Sequence, residues 1–393
     1  MPRLSYTQIA TFLTGAYAQA TGGSALASLS FDTLQQVFTT DAISTTDNLY
    51  GYLDTVIGKT LFAVRPISEP LRSLEWSPQR YGDIVRKLSP ITTEPQANRE
   101  WDIYTELQQA TPDFACCSAP VPQDFLATRI SGGNTFARKW TTFRNQMNAA
   151  FHSQAEVTDF FSMLATERAN RMKLDRVSEK RALVNNAILG LYNYSGSAVF
   201  NALTEYNTET GGSYTAITIM APGVFRDFMI WLAAKIDYLR ELMQDNGKMF
   251  HQDVTGKAVD RHTPMSKQKL YLHSQFEKYF RANQSQLFNP EYLPKFAAVE
   301  SVAYWQDPQA PMDVQGTART IDATGSVQTV ATALCENVIG ILFDEDFMGL
   351  SNIDNWAAPE PYNSRFGYQN TWYHSTYRSI TDFTENALLI KLA

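Results

Sequence analysis

The chain has 393 residues, of which 44% are hydrophobic and 19% are charged, so it can bury a core and lacks the composition of a disordered protein. Its 33 Lys and Arg residues and 40 Asp and Glu residues give a formal net charge of -7, which argues against broad electrostatic capture of nucleic acid. Three cysteines are too few for a disulfide framework. Because neither a secretory leader nor a membrane span is evident, we expect a soluble globular protein of about two or three domains, made in the cytoplasm.

The first sixty residues are predicted to form an arm of amphipathic helices. In the first of them, Ile9, Phe12 and Leu13 lie on one face at helical spacing, and Gly22 helps to end the helix. Such helices have no evident core of their own. We therefore expect the arm to pack either on the rest of this chain or on a neighbouring one.

The segment from residue 66 to residue 122 holds 8 of the 17 prolines. Proline at this density excludes long helices and central strands, so we expect an extended segment with short edge strands. It also carries Trp76, Tyr81, Trp101 and Tyr104, aromatic side chains that a solvated linker does not need. Two interpretations stay open: a loop that packs on another subunit, or a β-rich subdomain packed within the chain.

Residues 155–190 are predicted to form the longest helix, with apolar ends and a highly charged middle. Glu167 and Arg171 are four residues apart, in the order that favours an ion pair on a helix, and Arg168 lies between them. Such a run is most often a solvated face. It also fits a polar surface between subunits, and charge alone does not decide.

The middle third is predicted to be a compact α/β unit. The predicted elements are a strand at Ala216–Met220, an amphipathic helix between Pro222 and Gly247, a helix over Lys267–Ala282, and a strand at Val299–Trp305.

The tail is predicted to be β-structure. Its predicted parts are an apolar run at Ala333–Phe343 before Asp344–Asp346, an alternating strand over Trp372–Ile380, and a buried strand at Ala387–Ile390.

No residue pattern predicts a catalytic, cofactor or metal site. Gly58-Lys59-Thr60 lacks the earlier glycine that a phosphate-binding loop needs, because position 53 is Leu53. The acidic cluster Asp344–Asp346 is more typical of a hairpin turn than of a metal site. Paired carboxylates for glycoside hydrolysis stay possible among 40 acidic residues, and the 12% aromatic content also fits a sugar cleft.

The order of these parts resembles the major capsid protein of tailed bacteriophages, which has the Hong Kong 97-type fold. Val338–Asp344 looks like the strand that enters a hairpin with an acidic turn in that family. Tyr368–Ile380 followed by Ala387–Ile390 is similar to the strand pair that ends those chains. The Tyr-rich strands resemble those of small podovirus-type heads, and Met1–Gln19 looks like the start of capsid proteins from phages of gut Firmicutes.

The resemblance implies an α+β Hong Kong 97-type capsid fold. The implied domains are an N-terminal arm (1–64), an extended loop with flanking strands (65–137), a peripheral domain with a spine helix (138–212 and 332–393), and an inserted axial domain (213–331). The implied function is structural and not enzymatic: self-assembly into an icosahedral or prolate shell around double-stranded DNA, with no cofactor. The candidate interface residues are Trp76, Tyr81, Trp101, Tyr104, Glu167, Arg168 and Arg171.

The implied partners are other copies of the chain, arranged as pentamers and hexamers. Many family members begin with a coiled-coil scaffolding segment that is cleaved during maturation, and this sequence shows none. The resemblance therefore implies either a separate scaffolding protein or a sequence that starts after cleavage, together with a portal. DNA contact is expected only through non-specific proximity, and no membrane is involved. The protein then resides in the virion, after assembly in the host cytoplasm. Two alternatives stay open: a glycan-active or glycan-binding phage protein, and the shell of an encapsulin-like nanocompartment.

Overall fold

The computed structural model of the chain describes residues 70–76, 84–91, 125–131, 133–145, 154–193, 198–221, 223–245, 247, 249–254, 259–284, 299–322 and 324–393. Several sequence predictions lie outside the described residues: the N-terminal arm with Gly58-Lys59-Thr60, Tyr81, Trp101, Tyr104 and Pro222. They stay predictions.

In chain order the helices and strands are β1 (Glu75–Trp76), β2 (Ile84–Pro90), β3 (Phe125–Ser131), β4 (Asn134–Phe143), α1 (Gln154–Asn193), β5 (Val199–Asn201), α2 (Ala202–Thr210), α3 (Val224–Gln244), β6 (Gln268–His273), α4 (Ser274–Gln284), β7 (Val299–Val302), β8 (Val314–Ile321), β9 (Val327–Cys335), β10 (Val338–Asp344), β11 (Met348–Pro359), β12 (Tyr368–Thr381) and β13 (Ala387–Lys391). Contacts divide the chain into two compact units. The first contains the described residues of Met1–Gly82, Gly132–Leu183 and Gly349–Ile380, and the second contains those of Asp83–Ser131, Val184–Met348 and Thr381–Ala393.

The first unit contains a four-stranded sheet in the order β1-β11-β12-β4. The long strand β12 pairs antiparallel with β4, and the two-residue strand β1 pairs parallel with β11. The predicted alternation along β12 is confirmed, since Tyr373 and Tyr377 are buried while Trp372 and His374 are half-buried. The sheet therefore has one face that packs and one that is more exposed.

The proline-rich segment is described in two places. β1 is a short edge strand, as the sequence predicts. β2 is longer than expected and pairs antiparallel with β3, from Ile84 opposite Ser131 to Pro90 opposite Phe125. This two-stranded ribbon, the β2–β3 hairpin, belongs to the second unit.

The second unit is built on a five-stranded sheet in the order β5-β13-β10-β6-β7. β10 runs antiparallel to both of its neighbours, β13 and β6. Every residue of β10 and of β13 is buried, which explains their continuous apolar sequence. The predicted terminal strand is thus confirmed and lies next to the central strand.

α3 covers this sheet and confirms the helix predicted before Gly247. Its buried side chains include Phe228, Leu232 and Ile236, which pack in one core with Leu270 of β6 and Ile339 of β10. These apolar residues recur every three or four positions, so they share the face that points to the sheet.

Two predicted elements are wrong because tertiary or local hydrogen bonds replace them. The segment Ala216–Met220 contains a 3-10 turn, Thr218–Met220, instead of a strand. The amide of Thr215 donates to the Thr218 hydroxyl at 2.7 Å, and the amide of Ile219 donates to the Thr215 carbonyl at 3.0 Å. Side-chain hydrogen bonds of this kind compete with regular structure.

The helix predicted over Lys267–Ala282 begins only at Ser274, because Gln268–His273 forms β6. Pairing with β10 on one side and with β7 on the other overrides the local helical pattern. The strand predicted at Val299–Trp305 ends at Val302.

The acidic turn predicted at Asp344–Asp346 is present. The strands on either side of it, β10 and β11, belong to different sheets. The turn therefore connects two sheets and does not close a hairpin, which corrects that part of the sequence prediction.

The central sheet predicts a strong effect of a single methyl group at Gly340. A Cβ at this position would lie 2.5 Å from the backbone oxygen of Tyr271, and a neighbouring strand cannot move away cheaply. We expect Gly340→Ala to lower the free energy of unfolding by about 1–3 kcal/mol, measured by urea denaturation. Gly316→Ala is the control, because its Cβ would meet Leu189 at an ordinary 3.5 Å. Equal stability of the two variants would contradict this prediction.

Candidate assembly interface

α1 presents part of its charged run to the sheet of its own unit. The guanidinium of Arg168 donates to the Tyr373 hydroxyl at 3.0 Å and lies 5.6 Å from the centre of the Trp140 ring. Trp140 and Tyr373 meet edge to face at 4.5 Å. Arg168 is only 3% exposed, so this cation is held between two aromatic rings and one hydroxyl.

Two further ion pairs join α1 to the same sheet. Lys180, which is fully buried, donates to the carboxylate of Glu75 on β1 at 2.7 Å. The guanidinium of Arg138 on β4 donates bidentate hydrogen bonds to the Asp175 carboxylate. These hydrogen bonds raise the pKa of the Arg138 guanidinium above its ordinary value. Much of the charge on α1 is therefore used within the chain.

The opposite side of α1, which we call the α1 outer face, is made of exposed residues at helical spacing: Met163, Glu167, Arg171, Leu174 and Ser178. Leu174 is 60% exposed and Met163 is 58% exposed. Large apolar side chains within a charged helical face are typical of a surface that another molecule covers. Sequence reasoning missed both residues; for Leu174 the available signal was its position inside the charged run, whereas Met163 precedes that run.

Trp76 packs within its own unit. A Cβ placed on Gly349 would lie 2.2 Å from the Trp76 ring, which shows that the indole lies directly on this glycine. Trp76 is half-buried in the chain. Its predicted role as an interface anchor therefore competes with a role in holding β1 to β11.

The β2–β3 hairpin exposes apolar side chains in the second unit. Leu88 is 68% exposed. Phe125, which pairs with Pro90 at the end of the ladder, is also exposed. The α1 outer face belongs to the first unit, so large apolar side chains are exposed in both units. Surfaces of this kind supply area for binding another molecule.

Among the described residues, no group of three potential metal ligands comes together. The helices within the described ranges include none that is long and apolar enough to cross a membrane.

A comparison with known protein families identifies the class of protein to which this chain belongs. A family model of the Phi29-like phage major capsid protein matches residues 56–391. The chain belongs to this family. It is a structural major capsid protein of the tailed-phage type, and it self-assembles into the shell of the virion.

Solved structures agree on the fold of this capsid protein. A chain in the capsid structure of Staphylococcus phage Andhra is similar with a TM-score of 0.52 and 12% identity, over 84% of this chain and 86% of that chain. A chain in the structure of the head fiber and inner core protein gp22 of native bacteriophage P68 is similar with a TM-score of 0.54 and 11% identity, over the same shares of the two chains. At this identity the likeness establishes the α+β Hong Kong 97-type fold. No curated protein matches the chain.

The predicted family and fold are thus confirmed. The two alternatives, a glycan-active protein and an encapsulin-like compartment, are not supported by the family match or by these structures. Of the candidate interface residues, Glu167 and Arg171 lie on the α1 outer face. Arg168 does not, since it is buried against its own sheet. The prediction that Arg168 lies on a subunit surface is therefore corrected: its side chain packs inside its own unit.

Arg168 and Arg171 form a matched pair on one helix. We expect Arg168→Ala to lower the free energy of unfolding by about 2–3 kcal/mol, because the packing of a long side chain is lost and the Tyr373 hydroxyl loses a charged donor. Arg171→Ala should change it by less than about 0.5 kcal/mol, as is usual for an exposed site. Chemical denaturation of the two unassembled variants measures both values, and a smaller loss in Arg168→Ala than in Arg171→Ala would reject this assignment.

Proposed function

We propose that this capsid protein forms pentamers and hexamers of itself, which close into an icosahedral or prolate shell around double-stranded DNA. Family membership over residues 56–391 is the observation that supports this most. Closed shells need each subunit to contact several neighbours at once, so several separate surfaces are required. The α1 outer face and the exposed side of the β2–β3 hairpin fit that need.

The proposed shell domains follow the family resemblance: an arm (1–64), an extended loop (65–137), a peripheral domain (138–212 and 332–393) and an axial domain (213–331) around the five- and six-fold axes. One adjustment comes from the sheet of the second unit. β10 and β13 pair in one sheet with β6 and β7, and strands of one ladder move together. In our proposal these two strands therefore belong with the axial body.

The remaining partners are proposed from charge and from family. A separate scaffolding protein and a portal take part in assembly, which occurs in the host cytoplasm. A subunit with a net charge of -7 has little electrostatic attraction for phosphates, so DNA contacts it through non-specific proximity. The protein acts without enzymatic chemistry, as a container made of identical parts.

Expression of the full chain with and without the scaffolding protein of its phage tests this proposal. The expected products are shells some tens of nanometres across in negative-stain images, which sediment far faster than a 44.3 kDa subunit. Particles from infected cells should keep their DNA through nuclease treatment, because the shell excludes the enzyme. A product that remains a small particle under every condition would reject the proposal.

The α1 outer face predicts an assembly defect without a folding defect. We expect Leu174→Ser to reduce the yield of sedimenting particles several-fold, because an apolar contact of a 60% exposed side chain is lost at the interface. The unassembled subunit should unfold at the same denaturant concentration as the wild type, because exposed sites contribute little to folding.

Ser178→Ala, on the same face one turn further along, serves as the control for Leu174→Ser and should assemble normally. If particle yield is unchanged in Leu174→Ser, the α1 outer face is not a subunit contact.

A further inference from the structure

The β2–β3 hairpin is attached to the second unit through a cluster of buried charges. The ammonium of Lys87 on β2 lies 2.7 Å from a carboxylate oxygen of Asp382 and also contacts the carboxylate of Glu385. Both acids belong to the turn between β12 and β13, and both are buried. A strand of the ribbon is thereby joined to the C-terminal turn by one cation that binds two carboxylates.

Arg261 is the second cation of this cluster and contacts both sides. Its guanidinium lies 3.0 Å from Glu385, donates to the Thr384 carbonyl at 3.1 Å, and donates to the Ser89 hydroxyl at 2.9 Å. Ser89 lies on β2 two residues after Lys87, so the two side chains point to the same face of the strand. Two cations and two carboxylates give the cluster a formal charge of zero.

The turn that receives Lys87 is itself held rigidly. The Asp382 carboxylate accepts hydrogen bonds from the Thr384 amide at 3.0 Å and from its hydroxyl at 2.6 Å, and the Asp382 amide donates to Phe347 at 2.7 Å. Phe383 fills the space above Gly190, where a Cβ would lie 2.3 Å from its ring. The receiving side therefore moves with the body of the second unit.

The two carboxylates differ in how well they are stabilised as anions. Burial alone would raise the pKa of Asp382, but the charge of Lys87 and the hydrogen bonds from Lys87 and Thr384 bring it below its ordinary value. Burial raises the pKa of Glu385 in spite of Lys87 and Arg261. Asp382 is thus the firmly ionised partner of Lys87.

We propose that Lys87 is a positioning residue that fixes the angle of the β2–β3 hairpin to the body of the second unit. An ion-pair contact suits this role because it specifies geometry while adding little net free energy: the desolvation of the charges offsets much of their attraction. When the ribbon separates from the turn, water solvates all four charges again, so the contact is reversible. Neutralising Lys87 removes its ion pairs with Asp382 and Glu385 and leaves the weaker hydrogen bond from Arg261 to the Ser89 hydroxyl. The ribbon can then swing as an intact ladder.

The angle that Lys87 fixes sets the direction in which the extended loop of the shell protein leaves the body of the second unit. Leu88 and Phe125 are exposed on the ribbon, and the angle of the ribbon decides where these side chains meet a neighbour. That consequence rests on the proposed function, whereas the angle itself is a property of a single subunit. The two can therefore fail separately.

The test is a distance measurement by pulsed electron paramagnetic resonance. Nitroxide labels are placed at Ala127→Cys on β3 and Gln275→Cys on α4, both exposed positions of the second unit, in a chain with Cys116 and Cys117 replaced by Ser. Cys335 can stay, because burial raises the pKa of its thiol to about 11 and keeps it unreactive. Labelled full-length chain is diluted into excess unlabelled chain, so that only distances within one subunit are recorded.

A narrow distance distribution is expected in the labelled chain with the native Lys87 and in its Lys87→Arg variant, which retains the positive charge. Lys87→Met should broaden the distribution about twofold or more, because several ribbon angles become populated. Lys278→Met, at an exposed lysine of α4, is the matched control and should leave it narrow.

An unchanged narrow distribution in Lys87→Met overturns the proposal. So does a loss of amide protection in α3 of that variant, since it would show that Lys87 holds the body folded and does not position the ribbon. The absence of shells, by contrast, would reject only the proposed function.

Discussion

Pairing between strands that are distant in sequence is the interaction on which both units depend. In the first sheet β4 pairs with β12, and in the second β5 pairs with β13 while β6 pairs with β10. The C-terminal strands thus lie inside both sheets, and neither sheet is complete until the end of the chain has been made. Because long-range pairing must overcome the entropy of closing large loops, we expect slow folding with late formation of both cores.

The charged residues of α1 divide between contacts within the chain and an exposed face. One side of the helix uses Arg168, Asp175 and Lys180 to hold the sheet of its own unit. The other side leaves Glu167 and Arg171 exposed beside apolar residues. Sequence alone could not separate these roles, since both sides carry the same residue types and only the position of the sheet distinguishes them.

The parts that the sequence predicted well are those with a strong period or complete burial. α1, α3, β12 and β13 follow from helical spacing, from alternation or from an unbroken apolar run. The sequence does not predict β6, because its pairing partner β10 is far along the chain. It does not predict the turn at Thr218 either, because the Thr218 hydroxyl accepts a backbone hydrogen bond that a strand neighbour would otherwise take. For the candidate interface, Trp76 and Arg168 are predicted from residue type alone, which carries no information about Gly349, on which Trp76 packs, or about the aromatic pair that holds Arg168.

The attachment of β1 has a mechanical consequence. β1 has two residues and lies at the edge of the sheet of the first unit. A pulling force applied to the chain at Pro70 would act on that strand, and the load would pass to the Glu75–Lys180 ion pair and to the indole of Trp76 on Gly349. These two contacts would therefore set the force at which β1 separates from β11, so the mechanical strength of this edge depends on one ion pair and one aromatic ring.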